Sequence, residues 1–438
     1  MHRYLKELLD NLRTIKLREK VIDFSGSNLN LIEKPSRLTS PSIPNAAAAP
    51  TASTAPTALS LFELIKQFPR LFPRSFMKSF QDYKQFHSDV ENFQVRLLET
   101  LPYFPDPSNG IYSKITNTIV DDEGSSINEF VVYPSNISVP SEKLKHLIFV
   151  HGYGAGLGFF LKNLENIKLL NDEWCVHAID LPGYGFSTRA KFPFQVGKHR
   201  HDQVNEWFHS RIRNWMHQRN LLQHSQNNFL IAHSLGAYLM ALYVDKHPND
   251  LQKILMCSPA GIGDSMNLKK KTPAWWFEKL WERNISPFTL VRSSSYIGSK
   301  LTSGWTYRRF SSLLSQNNLK QFEALHKYTY SIFNQRGSGE YLLNFALKCG
   351  GGPRYPLEKT LFMNNDKGIS KSSTEWIWAY GDNDWMDKNG GIRVSEILTK
   401  QLKKRSEVYI VPRAGHHLYF DNHQFFNDLI LKEMECMK

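Results

Sequence analysis

The sequence predicts an α/β protein in which a mostly parallel, eight-stranded sheet is flanked by helices and interrupted by an inserted helical lid. Short apolar runs alternate with helical patterns, and this alternation favours parallel strands joined by crossover helices. It stops between Ser258 and Trp376, an interval too long for one crossover. The predicted strands lie near 112–119, 129–134, 145–150, 174–179, 227–233, 253–258, 374–380 and 407–412, with helices near 158–170, 204–218, 235–246 and 389–404.

Composition divides the chain into five segments. Residues 1–58 join a basic amphipathic stretch to a linker rich in Ser, Pro, Ala and Thr, which cannot build a core. Residues 59–110 are predicted to be a helical lead-in rich in Phe and basic residues, which could pack on the core or lie on a membrane; packing is the plainer interpretation. The catalytic core is predicted over 111–261 and 374–438, with the lid over 262–373.

Charge and hydropathy restrict the partners. The 438 residues carry a net charge of +13, which suits nucleic acid, an anionic membrane surface or an acidic ligand. No zinc finger, phosphate loop or RNA-binding signature favours nucleic acid, whereas an aromatic content of 13 % favours lipid or another apolar partner. No stretch reaches the roughly 20 apolar residues of a membrane span, so a soluble or peripheral protein is expected.

The N-terminus and the cysteines bear on the compartment. Residues 1–24 could form a basic amphipathic helix like a mitochondrial presequence. Presequences are poor in acids, however, and Glu7, Asp10 and Glu19 keep a surface helix as an equal alternative. The cysteines have no paired spacing and predict reduced thiols in a non-secreted protein; they are Cys175, Cys257, Cys349 and Cys436.

A sharp strand-to-helix turn is predicted around Ser234. An apolar run at 229–231 precedes the serine, a helical pattern follows it, and the small residues Ala232 and Gly236 flank it. Such a turn strains the serine backbone and lifts its hydroxyl above the sheet edge, as required of a nucleophile. The helix N-terminus also places the Leu235 N–H where it can stabilise an oxyanion. An ordinary strand-to-helix turn is the alternative.

A glycine-rich turn follows the apolar strand that ends at Val150. It reads His151-Gly-Tyr-Gly-Ala-Gly, and its glycines allow the backbone to approach a ligand closely. The N–H of Tyr153 is therefore the candidate second oxyanion donor. The same glycines could be read as a dinucleotide loop. That reading fits poorly, because the acid after the next strand, Asp180, belongs to a separate Asp-Leu-Pro-Gly-Tyr-Gly turn.

The last two predicted strands end at an acid and a histidine. Asp384 is the candidate for orienting a histidine, with Asp387 as the second choice, whereas Asp382 is predicted to shape the turn. His416 is the candidate general base, and the neighbouring His417 is assigned a structural role. The order Ser, Asp, His, each at the end of a strand, predicts a serine nucleophile. Such chemistry needs no metal or organic cofactor, and neither is predicted.

Five loops and three lid motifs carry a resemblance. They are His151-Gly-Tyr-Gly-Ala-Gly, Asp180-Leu-Pro-Gly-Tyr-Gly, Ala232-His-Ser-Leu-Gly, Gly381-Asp-Asn-Asp-Trp-Met-Asp, Gly415-His-His-Leu-Tyr-Phe-Asp, Trp281–Arg292, Gly304–Phe310 and Arg336–Leu343. Over roughly residues 100 to 438 the sequence resembles the α/β-hydrolase superfamily, and within it the lipid-acting branch of ABHD4-type and ABHD5-type proteins. Within that branch, the sequence resembles the fungal mitochondrial cardiolipin-specific deacylases.

The resemblance implies a function and residue roles. It implies the α/β-hydrolase fold, with Ser234 as nucleophile, Asp384 as acid and His416 as base. The implied protein is a serine phospholipase that deacylates cardiolipin to monolysocardiolipin at the mitochondrial inner membrane, as a peripheral protein. The branch also carries a His-x-x-x-x-Asp element, here His416 to Asp421, that is associated with acyl-CoA-dependent lysophospholipid acyltransferases. An N-cap of the last helix is the preferred interpretation of Asp421.

Two further alternatives stay open. A non-catalytic lipid-binding regulator ranks last, because all three triad residues are present. The lid is predicted to touch an anionic membrane, since cations and tryptophans suit the headgroup region; alternatively its aromatics form the lid's own core. The lipid-binding candidates are Lys269, Lys270, Lys271, Trp275, Trp276, Arg308 and Arg309.

Overall fold

A computed structural model describes most of the chain beyond the N-terminal region. The described residues are 67–135, 141–169, 172–263, 275–364 and 366–437. The chain divides into a unit from Met1 to Phe72 and a unit from Pro73 to Lys438. Residues 1–58, with the predicted amphipathic helix and linker, lie outside the described residues, as do Lys269, Lys270 and Lys271.

An eight-stranded sheet forms the centre of the second unit. Its strands are β1 Ile111–Ile119, β2 Ser126–Pro134, β3 Lys145–Val150, β4 Trp174–Ile179, β5 Asn228–His233, β6 Lys253–Cys257, β7 Glu375–Gly381 and β8 Ser406–Val411. Their spatial order is β1-β2-β4-β3-β5-β6-β7-β8. β2 pairs antiparallel with both β1 and β4, whereas every pairing from β4 across to β8 is parallel. The predicted fold class is confirmed.

Helices flank the sheet and also build the lead-in and the insertion. They are α1 Phe76–Ser88, α2 Asn92–Leu98, α3 Leu161–Glu165, α4 His201–Gln218, α5 Leu235–Lys246, α6 Trp275–Glu282, α7 Phe288–Ser293, α8 Gly298–Arg309, α9 Ser311–Ser315, α10 Leu319–Asn334, α11 Leu342–Ala346, α12 Gly368–Lys371, α13 Lys388–Lys400, α14 Leu418–Asp421 and α15 His423–Glu435. Every residue of β4, β5 and β6 is buried, as expected of central parallel strands covered on two sides.

One predicted helix, over 158–170, is too long. The structure has a 3-10 turn at Leu157–Phe160, and α3 ends at Glu165. The reason is tertiary, because the N–H of Leu157 donates to Asp180 Oδ1 at 2.7 Å and that of Gly158 donates to the Tyr328 hydroxyl at 3.2 Å. The first two N–H groups of the segment therefore bond to distant side chains, and the chain forms a tight 3-10 turn there in place of a regular helix.

The described residues between β6 and β7 are mainly helical, and they include α6 to α12. The lead-in helices α1 and α2 pack on this insertion. A buried ion pair joins Arg74 to Asp82 of α1 at 2.9 Å, and Arg74 Nη1 also reaches Glu323 of α10 at 2.9 Å. Among the described helices, none combines the length and apolar character that crossing a bilayer requires.

Candidate active site

Ser234 sits at a strained turn between β5 and α5. Its φ and ψ are 52° and −114°, a conformation that side-chain-bearing residues rarely adopt. Neighbouring segments approach so closely that a Cβ on Gly236 would lie 2.2 Å from the His151 carbonyl oxygen. A Cβ on Gly152 would lie 2.9 Å from Ser234 Cβ. The predicted turn is therefore present, and small residues are required around it.

The structure brings together the three residues of the predicted triad. His416 follows β8, and its Nε2 lies 3.0 Å from Ser234 Oγ. The other ring nitrogen, Nδ1, lies 3.5 Å from Asp384 Oδ1, at the outer limit of a hydrogen bond. A hydroxyl that can pass its proton to an imidazole backed by a carboxylate is an arrangement suited to nucleophilic attack on an acyl carbon.

The Asp384 carboxylate is buried and held by three groups. The Ser258 hydroxyl donates to Oδ2, and the Met386 N–H donates to Oδ1 at 3.1 Å. Burial acts to raise the pKa of Asp384, but the interactions with His416, Ser258 and Met386 outweigh burial and lower that pKa below its ordinary value. The carboxylate is consequently ionised at neutral pH, as a group that stabilises a histidine cation must be.

Ser258 is the site residue that sequence reasoning missed. It follows β6 directly, and its N–H donates to the Ala379 carbonyl of the adjacent strand β7 at 2.8 Å. In the sequence, Ser258 is a hydroxyl residue at the C-terminal end of β6, and β6 pairs with β7, the strand that precedes Asp384. That position is the feature from which its role could have been predicted.

Two other acids on the Asp384 loop have structural partners. Asp387 caps α13, since its side chain accepts from the Gly390 N–H at 3.0 Å. Asp382 accepts from the N–H groups of Arg413 and Ala414 at 2.9 and 3.0 Å, so it holds the loop that leads to His416. Distances therefore favour Asp384 over Asp387 as the partner of the histidine.

Asp421 lies on the far side of the histidine loop, and the N-cap interpretation of this residue is wrong. The last helix, α15, begins at His423 and is capped by Asn422, because the short helix α14 intervenes. Asp421 Oδ2 instead accepts from the Gly415 N–H at 2.9 Å, and Oδ1 pairs with Arg309 of α8 at 2.6 Å. Its carboxylate thus links the histidine loop to the insertion.

The two predicted oxyanion donors border Ser234. Leu235 is the first residue of α5, and the first N–H groups of a helix lack intrahelical partners. Tyr153 follows Gly152, where a Cβ would lie 2.9 Å from Ser234 Cβ. Both residues are thus close in the fold to Ser234, and their role as oxyanion donors stays a prediction.

Aromatic side chains of the insertion cover the site. Phe288 of α7 stacks on the Tyr153 ring at 5.3 Å between ring centroids, and it fills the space in front of Gly154. Trp305 of α8 packs against Phe159 and His417. Ser234 is only 7 % exposed. The surroundings of the nucleophile candidate are apolar, which suits an acyl chain and excludes water.

The predicted lipid-binding residues fall into three groups. Lys269, Lys270 and Lys271 lie outside the described residues, and no side-chain placement is described for Trp275 and Trp276. Arg308 is exposed, as a membrane-facing cation requires. Arg309 is instead committed to Asp421. For Trp305, the alternative of a lid core fits the contacts, since its ring also packs against Phe310 and Phe333.

Among the described residues, one group has the composition of a metal site, and it lies on the paired strands β3 and β4. The donor atoms of His146, Cys175 and His177 are within 4.8 Å of one another. The two imidazoles share a hydrogen bond of 3.0 Å, and His177 Nδ1 bonds to Glu129 at 2.6 Å. Burial lowers the pKa of His177, but Cys175 and Glu129 outweigh burial and raise it to about 10. These contacts account for the group as a polar network.

A mostly parallel sheet that carries a serine, an acid and a histidine at the carboxyl ends of its strands defines the α/β-hydrolase class. A family model described as the alpha/beta hydrolase fold matches residues 145–423. The chain belongs to this family.

Curated relatives act on lipids. The chain is 31 % identical over 299 residues to a 1-acylglycerol-3-phosphate O-acyltransferase of Arabidopsis thaliana, a match covering 65 % of each chain. It is 24 % identical over 332 residues to a Saccharomyces cerevisiae 1-acylglycerol-3-phosphate O-acyltransferase, covering 64 % of this chain and 79 % of the relative. It is 22 % identical over 315 residues to the human (lyso)-N-acylphosphatidylethanolamine lipase, covering 69 % and 83 %. The lipid-acting branch is the part of the family to which this chain is similar.

Proposed function

We propose that this protein is a serine-dependent phospholipid acyl hydrolase. The observation that carries the proposal is the 3.0 Å contact between Ser234 Oγ and His416 Nε2, with Asp384 behind the imidazole. The strained backbone of Ser234 and the apolar cover contributed by Phe288 support the same interpretation.

In the first half-reaction, His416 Nε2 takes the hydroxyl proton of Ser234 while Oγ attacks the ester carbonyl carbon. The carbonyl oxygen becomes an oxyanion that receives hydrogen bonds from the N–H groups of Leu235 and Tyr153. Asp384 stabilises the imidazolium formed and holds its orientation. The tetrahedral intermediate then collapses, the carbon–oxygen bond to the glycerol breaks, and the imidazolium gives its proton to the departing lysolipid hydroxyl.

In the second half-reaction, the acyl group on Ser234 is transferred to water. His416 accepts a proton from the water, whose oxygen attacks the acyl carbon, and a fatty acid is released when Ser234 recovers its proton. This route requires no metal or organic cofactor.

Cardiolipin is the proposed substrate, deacylated to monolysocardiolipin by a peripheral protein of the mitochondrial inner membrane. The proposal is supported by the motifs shared with the fungal deacylases and by the net charge of +13, which favours a lipid with two phosphates over zwitterionic lipids.

Acyl transfer is the second candidate, because two of the relatives described above are named 1-acylglycerol-3-phosphate O-acyltransferases. In that reaction acyl-CoA would acylate Ser234 with loss of the CoA thiol, and a lysophospholipid hydroxyl would take the place of water. Competition between water and the lipid hydroxyl for the acyl-serine decides between the two activities.

The test is a product analysis by mass. Purified full-length protein is incubated with vesicles of single phospholipids, with and without acyl-CoA, beside the Ser234→Ala variant. We expect monolysocardiolipin and free fatty acid from cardiolipin, without a requirement for acyl-CoA. If phosphatidic acid forms from lysophosphatidic acid and acyl-CoA, and no diacyl lipid yields free fatty acid, the hydrolase proposal is wrong and the acyltransferase proposal replaces it. If the protein binds the vesicles but forms no product, a non-catalytic lipid-binding regulator is the remaining interpretation.

A further inference from the structure

Five large apolar side chains are exposed on α1, on α7 and on the 3-10 turn Ser295–Ile297 that follows α7. Phe76, Met77 and Phe80 of α1 are 58 %, 67 % and 39 % exposed, and Leu290 and Tyr296 of the insertion are 62 % and 55 % exposed. These residues are called the α1–α7 face below. Large apolar side chains are normally buried, and a group of them on a surface indicates that something apolar covers it in use.

Direct contacts join the two halves of the α1–α7 face. The Ser79 hydroxyl of α1 donates to the Tyr296 carbonyl at 2.7 Å, and it accepts from the Lys300 N–H at 2.9 Å. Lys300 Nζ lies 4.8 Å from the Phe76 ring centroid. These contacts place α1 beside the stretch from Tyr296 to Lys300, and Leu290 lies in the helix that directly precedes that stretch.

Basic residues outnumber acidic residues around the face. The segments 73–88 and 283–300 contain the basic residues Arg74, Lys78, Lys84, Arg283, Arg292 and Lys300. The acidic residue within these segments is Asp82, which is buried against Arg74. Two acids face the segments from neighbouring elements: Glu323 of α10 pairs with Arg74 and Lys78, and Glu340 pairs with Arg292. Lys84 is exposed and places its Nζ 4.8 Å from the Phe80 ring centroid. Aromatic and aliphatic side chains interleaved with exposed cations such as Lys84 and Arg283 complement a bilayer that carries anionic headgroups.

The same surface leads to the candidate active site through one short helix. Phe288, at the start of α7, lies against Tyr153 and Gly154 beside Ser234. Leu290, two residues later, points to solvent. Contact of Leu290 with lipid would act on the element that covers the nucleophile candidate.

We propose that the α1–α7 face docks on the surface of an anionic phospholipid bilayer, with Phe76, Met77, Phe80, Leu290 and Tyr296 inserted among the headgroups and Lys78 and Lys84 against the phosphates. This inference rests on the proposed function, because it gives the enzyme access to lipid held in a membrane. It places the membrane contact on residues other than the lysines at 269–271.

The test compares vesicle binding by full-length variants. The face variant is Phe76→Ser with Leu290→Ser, and its matched control is Ile119→Ser with Met363→Ser, whose side chains are 59 % and 58 % exposed on other elements. Vesicles of phosphatidylcholine with and without phosphatidylglycerol are used, so that binding is measured apart from turnover of cardiolipin.

Wild-type and control proteins are expected to bind the anionic vesicles equally, and the face variant to bind on the order of tenfold more weakly or worse. Lys78→Gln with Lys84→Gln is expected to weaken binding to anionic vesicles by about tenfold and to leave binding to neutral vesicles unchanged. Equal binding by the face variant and the wild type would overturn the proposal. So would self-association of the wild type that the face variant loses while vesicle binding persists, because a second copy would then be the occupant.

A soluble short-chain ester, p-nitrophenyl butyrate, separates docking from chemistry. The face variant is expected to hydrolyse it as the wild type does while losing turnover of vesicle lipid. If the wild type hydrolyses neither substrate but the binding difference holds, the hydrolase proposal fails and the docking face stands.

Discussion

The carboxyl edge of the sheet and the insertion above it are built on different principles. At the edge, Ser234, Asp384 and His416 each lie in a loop that directly follows a strand, so the sheet positions them through the backbone. The insertion is tied to the edge by side-chain ion pairs such as Arg309 with Asp421. The candidate catalytic residues are thus positioned by the backbone of the sheet. The insertion that covers them is held by individual side-chain contacts, each of which a single substitution can remove.

The largest effect is expected at Ser234, the nucleophile candidate at the carboxyl edge of the sheet. Ser234→Ala should lower turnover on the order of 10³-fold or more without loss of fold, because only oxyanion stabilisation and binding would remain. Initial rates of lipid deacylation, with circular dichroism as the fold check, measure this. Ser315→Ala, at an exposed helix end, is the matched control. Near-normal turnover by a folded Ser234→Ala protein would exclude the serine mechanism.

The second prediction separates two acids of one loop. Asp384→Asn should lower kcat on the order of 10²- to 10⁴-fold, because the amide no longer stabilises the imidazolium or selects its tautomer. Asp387→Asn should change kcat only a few-fold, since an amide side chain can still cap α13. If the Asp387 variant were the more damaged of the two, with both proteins folded, the assignment would be reversed.

The third prediction concerns an ion pair within the insertion. Arg292 donates two hydrogen bonds to Glu340, at 2.7 and 2.9 Å, and Glu340 is 3 % exposed. Glu340→Gln leaves a partly buried guanidinium charge uncompensated and should destabilise the protein by about 3 kcal/mol in denaturant unfolding. Glu396→Gln removes an exposed pair with Lys400 and should cost less than about 1 kcal/mol. Equal stability of the two variants would show that this pair does not hold the insertion.

The smallest effect is expected at Asp421, which joins the histidine loop to the insertion. Asp421→Ala removes the bonds to Gly415 and Arg309, so His416 should be less well placed and kcat should fall about tenfold with little change in KM. Arg309→Lys, made in the otherwise wild-type protein, retains the charge and the bond from Gly415 to Asp421, so it should lower kcat less than Asp421→Ala does. Hydrolysis and any acyl transfer should fall in the same proportion. Selective loss of transfer with hydrolysis intact would mean that Asp421 serves the acyltransferase reaction itself.

Local patterns in the chain were enough to predict the sheet and the turn at Ser234. Strand positions follow from the alternation of apolar runs with helical periodicity, which depends on near neighbours in sequence. The turn follows from small residues beside Ser234, because the strand and the helix nearly touch there. These features are short-range, so they leave a signature in consecutive residues.

The partners of the acids and the cover over the serine depend on packing between distant parts of the chain. Asp382, Asp384 and Asp421 all lie near the histidine loop, and only distances separate the partner of His416 from the residues that hold its backbone. Ser258 joins the site because β6 lies beside β7, although 126 residues separate it from Asp384. Phe288 covers the site although it lies more than fifty residues after Ser234. Contacts between residues far apart in sequence leave no periodic pattern, so they become visible only when the chain is folded.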